Sequence, residues 1–154
     1  MSKENSDPCC QWAGEARIGE TQVARDTIFR VASISKVFGA AAAHLLVQQG
    51  KLALDTPASE TLGFDTIRPV TLRQLITHTA ALNDAPAYDE AIFMPETPHM
   101  KDVLEKSFYT YELGTKFHYS NFGAGIVGMM VEAASGMIFD DFIRQSFFLP
   151  FGID

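Results

Sequence analysis

The sequence predicts a helix-dominated α+β domain. Two long apolar runs, residues 37–47 and 122–135, have the length and polarity of buried helices, and a glycine follows each run within three residues. Short alternating pieces between Trp12 and Phe29 fit one or two strands. At 154 residues, with 47% apolar and 20% charged side chains, the chain has the composition of one folded domain and not of a disordered segment.

The charge and the rare residues argue against several functions. The net charge is −7 and the isoelectric point is near 5.0. Lysine and arginine form no cluster, so binding to nucleic acid or to an anionic membrane is disfavoured. The two cysteines, Cys9-Cys10, are adjacent and close no useful loop, which argues against a disulfide framework. The four histidines lack metal-ligand spacing and no C-x-x-C occurs, so neither a metal nor another cofactor is predicted.

The N-terminal segment is polar. We expect residues 1–13 to be flexible and residues 14–154 to form the predicted domain. Met1 to Gln11 contain no apolar run, so the sequence predicts no signal peptide and, by default, a cytoplasmic location. The first apolar helix is too short to cross a bilayer, and no membrane span is expected.

The first candidate site lies at the start of the first apolar helix. A short extended segment, Thr27 to Ala32, leads into a helix predicted to begin at or near Ser33. Ser33 and Lys36 are three residues apart, which places their side chains on one helix face and within reach of each other. A serine hydroxyl beside a lysine amine at a helix N-terminus is the arrangement that activated-serine chemistry needs. The alternative is structural: Ser33 caps the helix and Lys36 extends along its first turn.

The segment between the two apolar helices is predicted to be a short helix followed by a loop. Thr71 to Gln74 fits a capping box, which begins a short amphipathic helix that ends before Ala80. Three prolines and mixed polarity indicate a loop-rich segment from Asn83 to Pro98, and such loops often line a site. A further helix is expected from Met100 to Phe108.

The second candidate site lies at the start of the second apolar helix, predicted over Phe122 to Ser135. Tyr119 and Asn121 supply a phenol and an amide just before this helix. The structural alternative is that Tyr119 packs and that Ser120 or Asn121 caps the helix. Tyr119 and Asn121 lie at the start of one buried helix, and the S-x-x-K motif lies at the start of another. This combination favours a catalytic role for these residues over a purely structural one. Apolar side chains at helical spacing over residues 138–148 predict a final helix.

These motifs together resemble those of the serine β-lactamase and penicillin-binding-protein superfamily. Phe29 to Lys36 matches its S-x-x-K motif and lead-in, and Leu75 to Thr79 resembles its leucine-rich segment LLTHTSGL. Tyr119 to Gly123 matches the Y-x-N motif of the class C-like branch, which contains β-lactamases, D-Ala-D-Ala carboxypeptidases and β-lactamase-like esterases. The similarity extends from about residue 14 to residue 153, so it covers most of the chain.

The resemblance implies a role for each candidate residue. Ser33 would be the acylated nucleophile, and Lys36 would help to take its proton. Tyr119 would act as general base and then as acid toward the leaving group, and Asn121 would hold the substrate amide. A phenol is a poor base at its ordinary pKa near 10, so a neighbouring ammonium has to favour the phenolate, and Lys36 is the candidate. The implied activity is hydrolysis of an amide or ester through an acyl-enzyme, without a cofactor, in a family whose members are often exported.

The sequence also departs from the family pattern. Ala80-Ala81 replaces the usual Ser-Gly, and Leu113 stands where a proline often occurs. No K-T-G, K-S-G or H-x-G is present, and in the family this third motif lies on a strand that also supplies an oxyanion-hole N–H. We therefore expect the chain to hold the helical half of a β-lactamase/transpeptidase-like fold, with most of the antiparallel sheet outside it, and to be inactive alone.

Three interpretations remain open at this point, of which the least favoured is a helical protein in which these motifs occur by chance. The first is a serine hydrolase, present in part, whose substrate is a β-lactam, a D-Ala-D-Ala peptide or a small ester. The second is a truncated, non-catalytic helical module that binds a partner. The expected partners are a small-molecule or peptide substrate and further copies of the chain, which would associate through exposed apolar surface.

Overall fold

A computed structural model describes residues 12–66, 68–85 and 107–153. The chain divides into two compact units, Met1–Ala32 and Ser33–Asp154. All four candidate site residues belong to the second unit.

The described part of the first unit contains one hairpin. Strand β1 (Glu15–Arg17) pairs antiparallel with strand β2 (Thr21–Gln22), with an irregular register between Glu15 and Arg17. Gly19 has φ +73°, a conformation that glycine adopts without steric cost, and it turns the chain between the strands. The hairpin confirms the strands expected in this region. Ala32 has φ +47°, so the extended segment predicted for Thr27 to Ala32 ends before Ala32.

The second unit begins with the first long apolar helix. A 3₁₀ turn, Ala32–Ile34, precedes helix α1 (Ser35–Gln48). The α-helix proper therefore begins two residues after Ser33. Gly50 has φ +70°, and its N–H donates to the Val47 carbonyl, which confirms the predicted glycine stop.

Two short helices follow. Helix α2 (Ala58–Leu62) begins directly after Pro57 and was not predicted. Helix α3 (Leu72–Ile76) has the predicted capping box: Thr71 Oγ1 accepts from the Gln74 N–H, and the Gln74 side chain accepts from the Thr71 N–H.

The second apolar helix and the tail complete the described fold. Helix α4 (Asn121–Ser135) ends at Gly136, whose φ of +72° makes it the predicted stop. Helix α5 (Phe139–Ile143) passes into a π-helical turn (Arg144–Phe148) and a 3₁₀ turn (Leu149–Phe151). The final helix predicted over residues 138–148 is therefore α-helical only in its first half.

The core of the second unit lies around helix α4, which contacts helices α1, α2, α3 and α5. Its buried face supplies Ile126, Val127, Met130 and Val131, and α1 contributes Ala42, Ala43 and Leu46. Among the described residues the regular secondary structure is helical, apart from the hairpin and two isolated bridges. This agrees with the predicted helix-dominated α+β class.

Some predictions fall outside the described residues. These are the flexible segment up to residue 11 and most of the loop and helix expected between residues 83 and 108. The last two residues of that predicted helix, Ser107 and Phe108, are not helical, and Phe108 forms an antiparallel bridge with Leu82.

The part of the chain that the structure describes has no single helix with the length and apolar character needed to cross a membrane. Asn121–Ser135 and Phe139–Phe151 meet that requirement only when taken together, and they are bent by 75°.

Candidate active site

The mouth of helix α1 presents Ser33 and Lys36 together. Lys36 Nζ donates a hydrogen bond of 3.1 Å to Ser33 Oγ. No side chain caps this helix, because the residue at the cap position is Ile34. The structural alternative for Ser33, a helix cap, is therefore wrong: its hydroxyl is exposed and is engaged by Lys36 instead of by the backbone.

The mouth of helix α4 meets the mouth of α1. The Tyr119 hydroxyl donates to Ser33 Oγ at 2.8 Å, across 86 residues of sequence. Asn121 Oδ1 accepts from Lys36 Nζ at 2.6 Å. The four residues predicted as a site thus form one connected cluster, in which Ser33 Oγ accepts from two donors and Lys36 Nζ joins both helix mouths.

The backbone around Tyr119 is held by a cap at the start of α4. Ser120 is 2% exposed, and its Oγ accepts from the Gly123 N–H at 2.8 Å. It is therefore the N-cap, as one of the two structural alternatives for this motif predicted. Because Ser120 makes the cap, the side chains on either side of it, Tyr119 and Asn121, remain available to Ser33 and Lys36.

Asp84 completes this arrangement and was missed by the sequence reasoning. Its carboxylate accepts from the Ser120 hydroxyl at 2.5 Å and from the Asn121 N–H at 2.5 Å. It precedes Ser120 by 36 residues, so no local spacing connects it to the Y-x-N motif. The available signal was its place in the loop-rich segment that begins at Asn83, which was expected to line a site but in which no residue was singled out.

His78 packs beside Tyr119 and was also missed. The two rings lie 4.6 Å apart between centroids, and the Ser120 N–H donates to His78 Nδ1 at 3.3 Å. Burial, followed by the positive charge of Lys36, lowers the pKa of His78, while the charge of Asp84 opposes the shift. A neutral ring with an unprotonated Nδ1 satisfies both the contact and the electrostatics.

The pKa of the Tyr119 phenol is lowered from its ordinary value of 10.0. Hydrogen bonding with Lys36 is the largest cause, and hydrogen bonding with Ser33 adds to it. The charge of Lys36 acts in the same direction, whereas desolvation and the negative charge of Asp84 raise the pKa. The cluster therefore makes the phenolate, which is the form that can accept a proton, easier to reach than in a free tyrosine.

A largely apolar cavity of about 260 Å³ lies beside Lys36. Helices α1 and α4 line it with small residues, Gly39, Gly125 and Gly128, and Phe139 also lines it. Among the described residues no three His, Cys, Asp or Glu side chains are grouped so that they could hold a metal ion. The side chains of the four-residue cluster are a hydroxyl, an amine, a phenol and an amide.

Comparisons with known proteins identify the family to which the chain belongs. A family model described as Beta-lactamase matches residues 10–154. Penicillin-binding protein 4* of Bacillus subtilis is 32% identical over 139 residues, which is 84% of this chain and 30% of that protein. The crystal structure of a penicillin-binding protein from Bacillus halodurans is similar with a TM-score of 0.74 and 32% identity, covering 91% of this chain and 45% of that one. A D-amino acid amidase from Ochrobactrum anthropi is similar with a TM-score of 0.73 and 26% identity, over 91% of this chain and 42% of that one.

These matches define the class as β-lactamase-related and penicillin-binding-protein-like hydrolases. The family match extends over almost the whole sequence, and the chain belongs to the beta-lactamase family. The chain spans 30% of the length of the Bacillus subtilis relative and under half of each of these two solved structures. It therefore corresponds to a part of their fold, and the described residues of that part are mostly helical in this chain.

Proposed function

We propose that this chain carries the nucleophile of a serine hydrolase that cleaves an amide or ester through an acyl-enzyme, with Ser33 as the acylated residue. The observation that carries the proposal is the double contact at Ser33 Oγ, 3.1 Å from Lys36 Nζ and 2.8 Å from the Tyr119 hydroxyl. Hydrogen-bond reach between a nucleophile and its base is the geometric requirement for this chemistry.

The proton transfers follow from these contacts. When Tyr119 is a phenolate, the hydrogen bond to Ser33 reverses, and Ser33 Oγ can give its proton to the phenolate oxygen as it attacks the carbonyl carbon. Tyr119 then returns that proton to the leaving nitrogen or oxygen as the scissile bond breaks. Water hydrolyses the acyl-enzyme in a second step that uses the same groups in reverse. Hydrogen bonding with Lys36, together with its positive charge, stabilises the phenolate.

Asn121 is proposed to hold the substrate amide. Its Oδ1 accepts from Lys36 Nζ, which fixes the side chain at the site. The substrate is proposed to be a β-lactam, a D-Ala-D-Ala peptide or a small ester. These share a carbonyl carbon with an oxygen or nitrogen leaving group, and the described contacts suit all three.

Labelling by an acylating probe tests the nucleophile. In the protein at its natural length, a fluorophosphonate or penicillin probe is expected to add its mass to the peptide that contains Ser33. Ser33→Ala should abolish this labelling. Ser35→Ala is the matched control, because Ser35 is an exposed serine two residues away, at the first position of α1. Labelling that persists in Ser33→Ala would overturn the assignment.

A non-catalytic binding module is the second candidate for residues 1–154 taken alone, in which K-T-G, K-S-G and H-x-G do not occur. Loss of one oxyanion donor typically costs about 100- to 1,000-fold in kcat.

We expect residues 1–154 alone to hydrolyse nitrocefin and p-nitrophenyl esters no faster than their Ser33→Ala variant. Exposed apolar side chains, including Val37 at 66% and Phe151 at 79%, are expected to cause association, which light scattering on the same sample detects. Rapid turnover by a monodisperse monomer, lost in Ser33→Ala, would exclude the module.

A further inference from the structure

We propose that Asp84 is a positioning residue for the reaction, which holds the Tyr119-Ser120-Asn121 segment in register with Ser33 and Lys36. This inference rests on the proposed function. Asp84 Oδ1 accepts from the Ser120 hydroxyl at 2.5 Å and from the Phe122 N–H at 3.4 Å. Its Oδ2 accepts from the Asn121 N–H at 2.5 Å.

These bonds fix the backbone between the two reactive side chains. Ser120 lies between Tyr119 and Asn121, and Asp84 binds both its hydroxyl and the next N–H along the chain. The Ser120 hydroxyl hydrogen is directed at Asp84, so its lone pairs face the Gly123 N–H. A shift of about 1 Å in this segment would move the Tyr119 hydroxyl out of hydrogen-bond reach of Ser33.

The location of Asp84 follows from packing two residues earlier. Leu82 is 1% exposed and lies against Gly123, where an added Cβ would come within 3.2 Å of Leu82 Cδ1. The Asn83 N–H donates to the Ser107 carbonyl at 2.7 Å, which anchors the segment on its other side. The absence of a side chain at Gly123 therefore allows Leu82 to pack against the first turn of α4, and the following Asp84 reaches the helix mouth.

The charge of Asp84 suits this place. A carboxylate is stabilised at a helix N-terminus, and three donors at the start of α4 point to it. The cap bond from Gly123 to Ser120 does not involve Asp84, so the helix has a cap without it. We therefore expect that loss of Asp84 alters the placement of Tyr119 and Asn121 more than it alters the helix itself.

Asp84→Asn tests the proposal, because the amide keeps the size of the side chain and replaces one acceptor with a donor. In the protein at its natural length, we expect probe labelling of Ser33 to slow by about 10- to 100-fold. Asp140→Asn is the matched control, an exposed carboxylate in the first turn of α5, and should label within about twofold of the wild type. A labelling rate of Asp84→Asn equal to that of this control would overturn the proposal.

A second background distinguishes positioning from general stability. In Tyr119→Phe, Asp84→Asn should slow labelling by less than about threefold, because the phenol that it positions is already lost and only the placement of Asn121 still depends on it. An equal fold-loss in both backgrounds would contradict the proposal.

Asp84→Glu is a second variant, which can be used if Asp84→Asn unfolds. It keeps the charge and moves the carboxylate by one methylene, so it should also slow labelling, by about 10-fold. A wild-type rate in Asp84→Glu would likewise contradict it.

A measurement without turnover separates this inference from the proposed function. Amide hydrogen exchange at Asn121 and Phe122 should accelerate by at least about 10-fold in Asp84→Asn and stay unchanged in Asp140→Asn. If the wild-type protein is not labelled at all, the proposed function fails and this exchange measurement alone decides the role of Asp84. Unchanged exchange at both amides would overturn it.

Discussion

The mouths of helices α1 and α4 are built in opposite ways. At α1 the cap position is Ile34, no side chain caps the backbone, and the Ser33 hydroxyl is held by Lys36 and Tyr119. At α4 the buried Ser120 makes the cap, and Asp84 binds the first turn from outside the helix. One helix start therefore exposes its serine, and the other buries it.

This difference distinguishes a serine that is available as a nucleophile from a serine that stabilises a helix. A serine that caps a helix uses its lone pairs on backbone N–H groups, which lowers its value as a nucleophile. Ser33 does not cap its helix, whereas Ser120 caps α4 and also donates a hydrogen bond to the Asp84 carboxylate. The two serines thus have different partners, which fits the nucleophile proposed at Ser33 and the helix cap observed at Ser120.

The largest expected effect comes from breaking the link between the two mouths. Lys36→Ala and Tyr119→Phe should each slow acylation of Ser33 by about 10²- to 10⁴-fold, because Tyr119 accepts the proton and Lys36 stabilises the phenolate that accepts it. The double variant should lose far less than the product of the two losses, because the groups act as a unit. Pre-steady-state labelling of the four proteins measures the cycle. Multiplicative losses would mean that the two mouths act independently.

A smaller effect should distinguish the two serines by stability. Ser120→Ala removes the cap and leaves the Asp84 carboxylate without its hydroxyl donor, so it should lower the free energy of unfolding by about 1–3 kcal/mol. Ser33→Ala is the matched substitution at the other mouth and should change it by less than about 0.5 kcal/mol, because Ser33 is exposed and caps nothing.

Urea unfolding of both variants followed by circular dichroism measures this contrast. Ser120→Ala is expected to lower the free energy of unfolding more than Ser33→Ala does. Equal losses would show that Ser33 also supports its helix and would remove the distinction between the two mouths.

Local signals predicted most of the fold. The capping box at Thr71 and the glycines at 50 and 136 act within one helical turn, so the sequence alone carries them. The tail was predicted less well. Apolar spacing over residues 138–148 indicates a helix, but the change to a π-helical turn at Arg144 has no signature that periodicity detects.

The sequence motifs predicted the four residues of the candidate site, but not the residues that hold them in place. The spacing of Ser33 and Lys36 is local, and the resemblance supplied Tyr119 and Asn121. Asp84 and His78 depend on how distant segments pack, through Leu82 against Gly123 and the ring of His78 against Tyr119. Such contacts become visible only in three dimensions, because neither residue lies within one helical turn of the motif it supports.

Titration of Tyr119 tests most directly the claim that the two mouths form one site. The ultraviolet difference spectrum between the wild type and Tyr119→Phe isolates the phenolate of this residue. We expect its pKa to lie below the ordinary value of 10.0, because hydrogen bonding with Lys36, followed by that with Ser33, favours the phenolate. In Lys36→Met the pKa should rise, so that less phenolate is present at any given pH below it. A pKa near 10 in both proteins, unchanged by the loss of Lys36, would contradict the coupling on which the proposed mechanism depends.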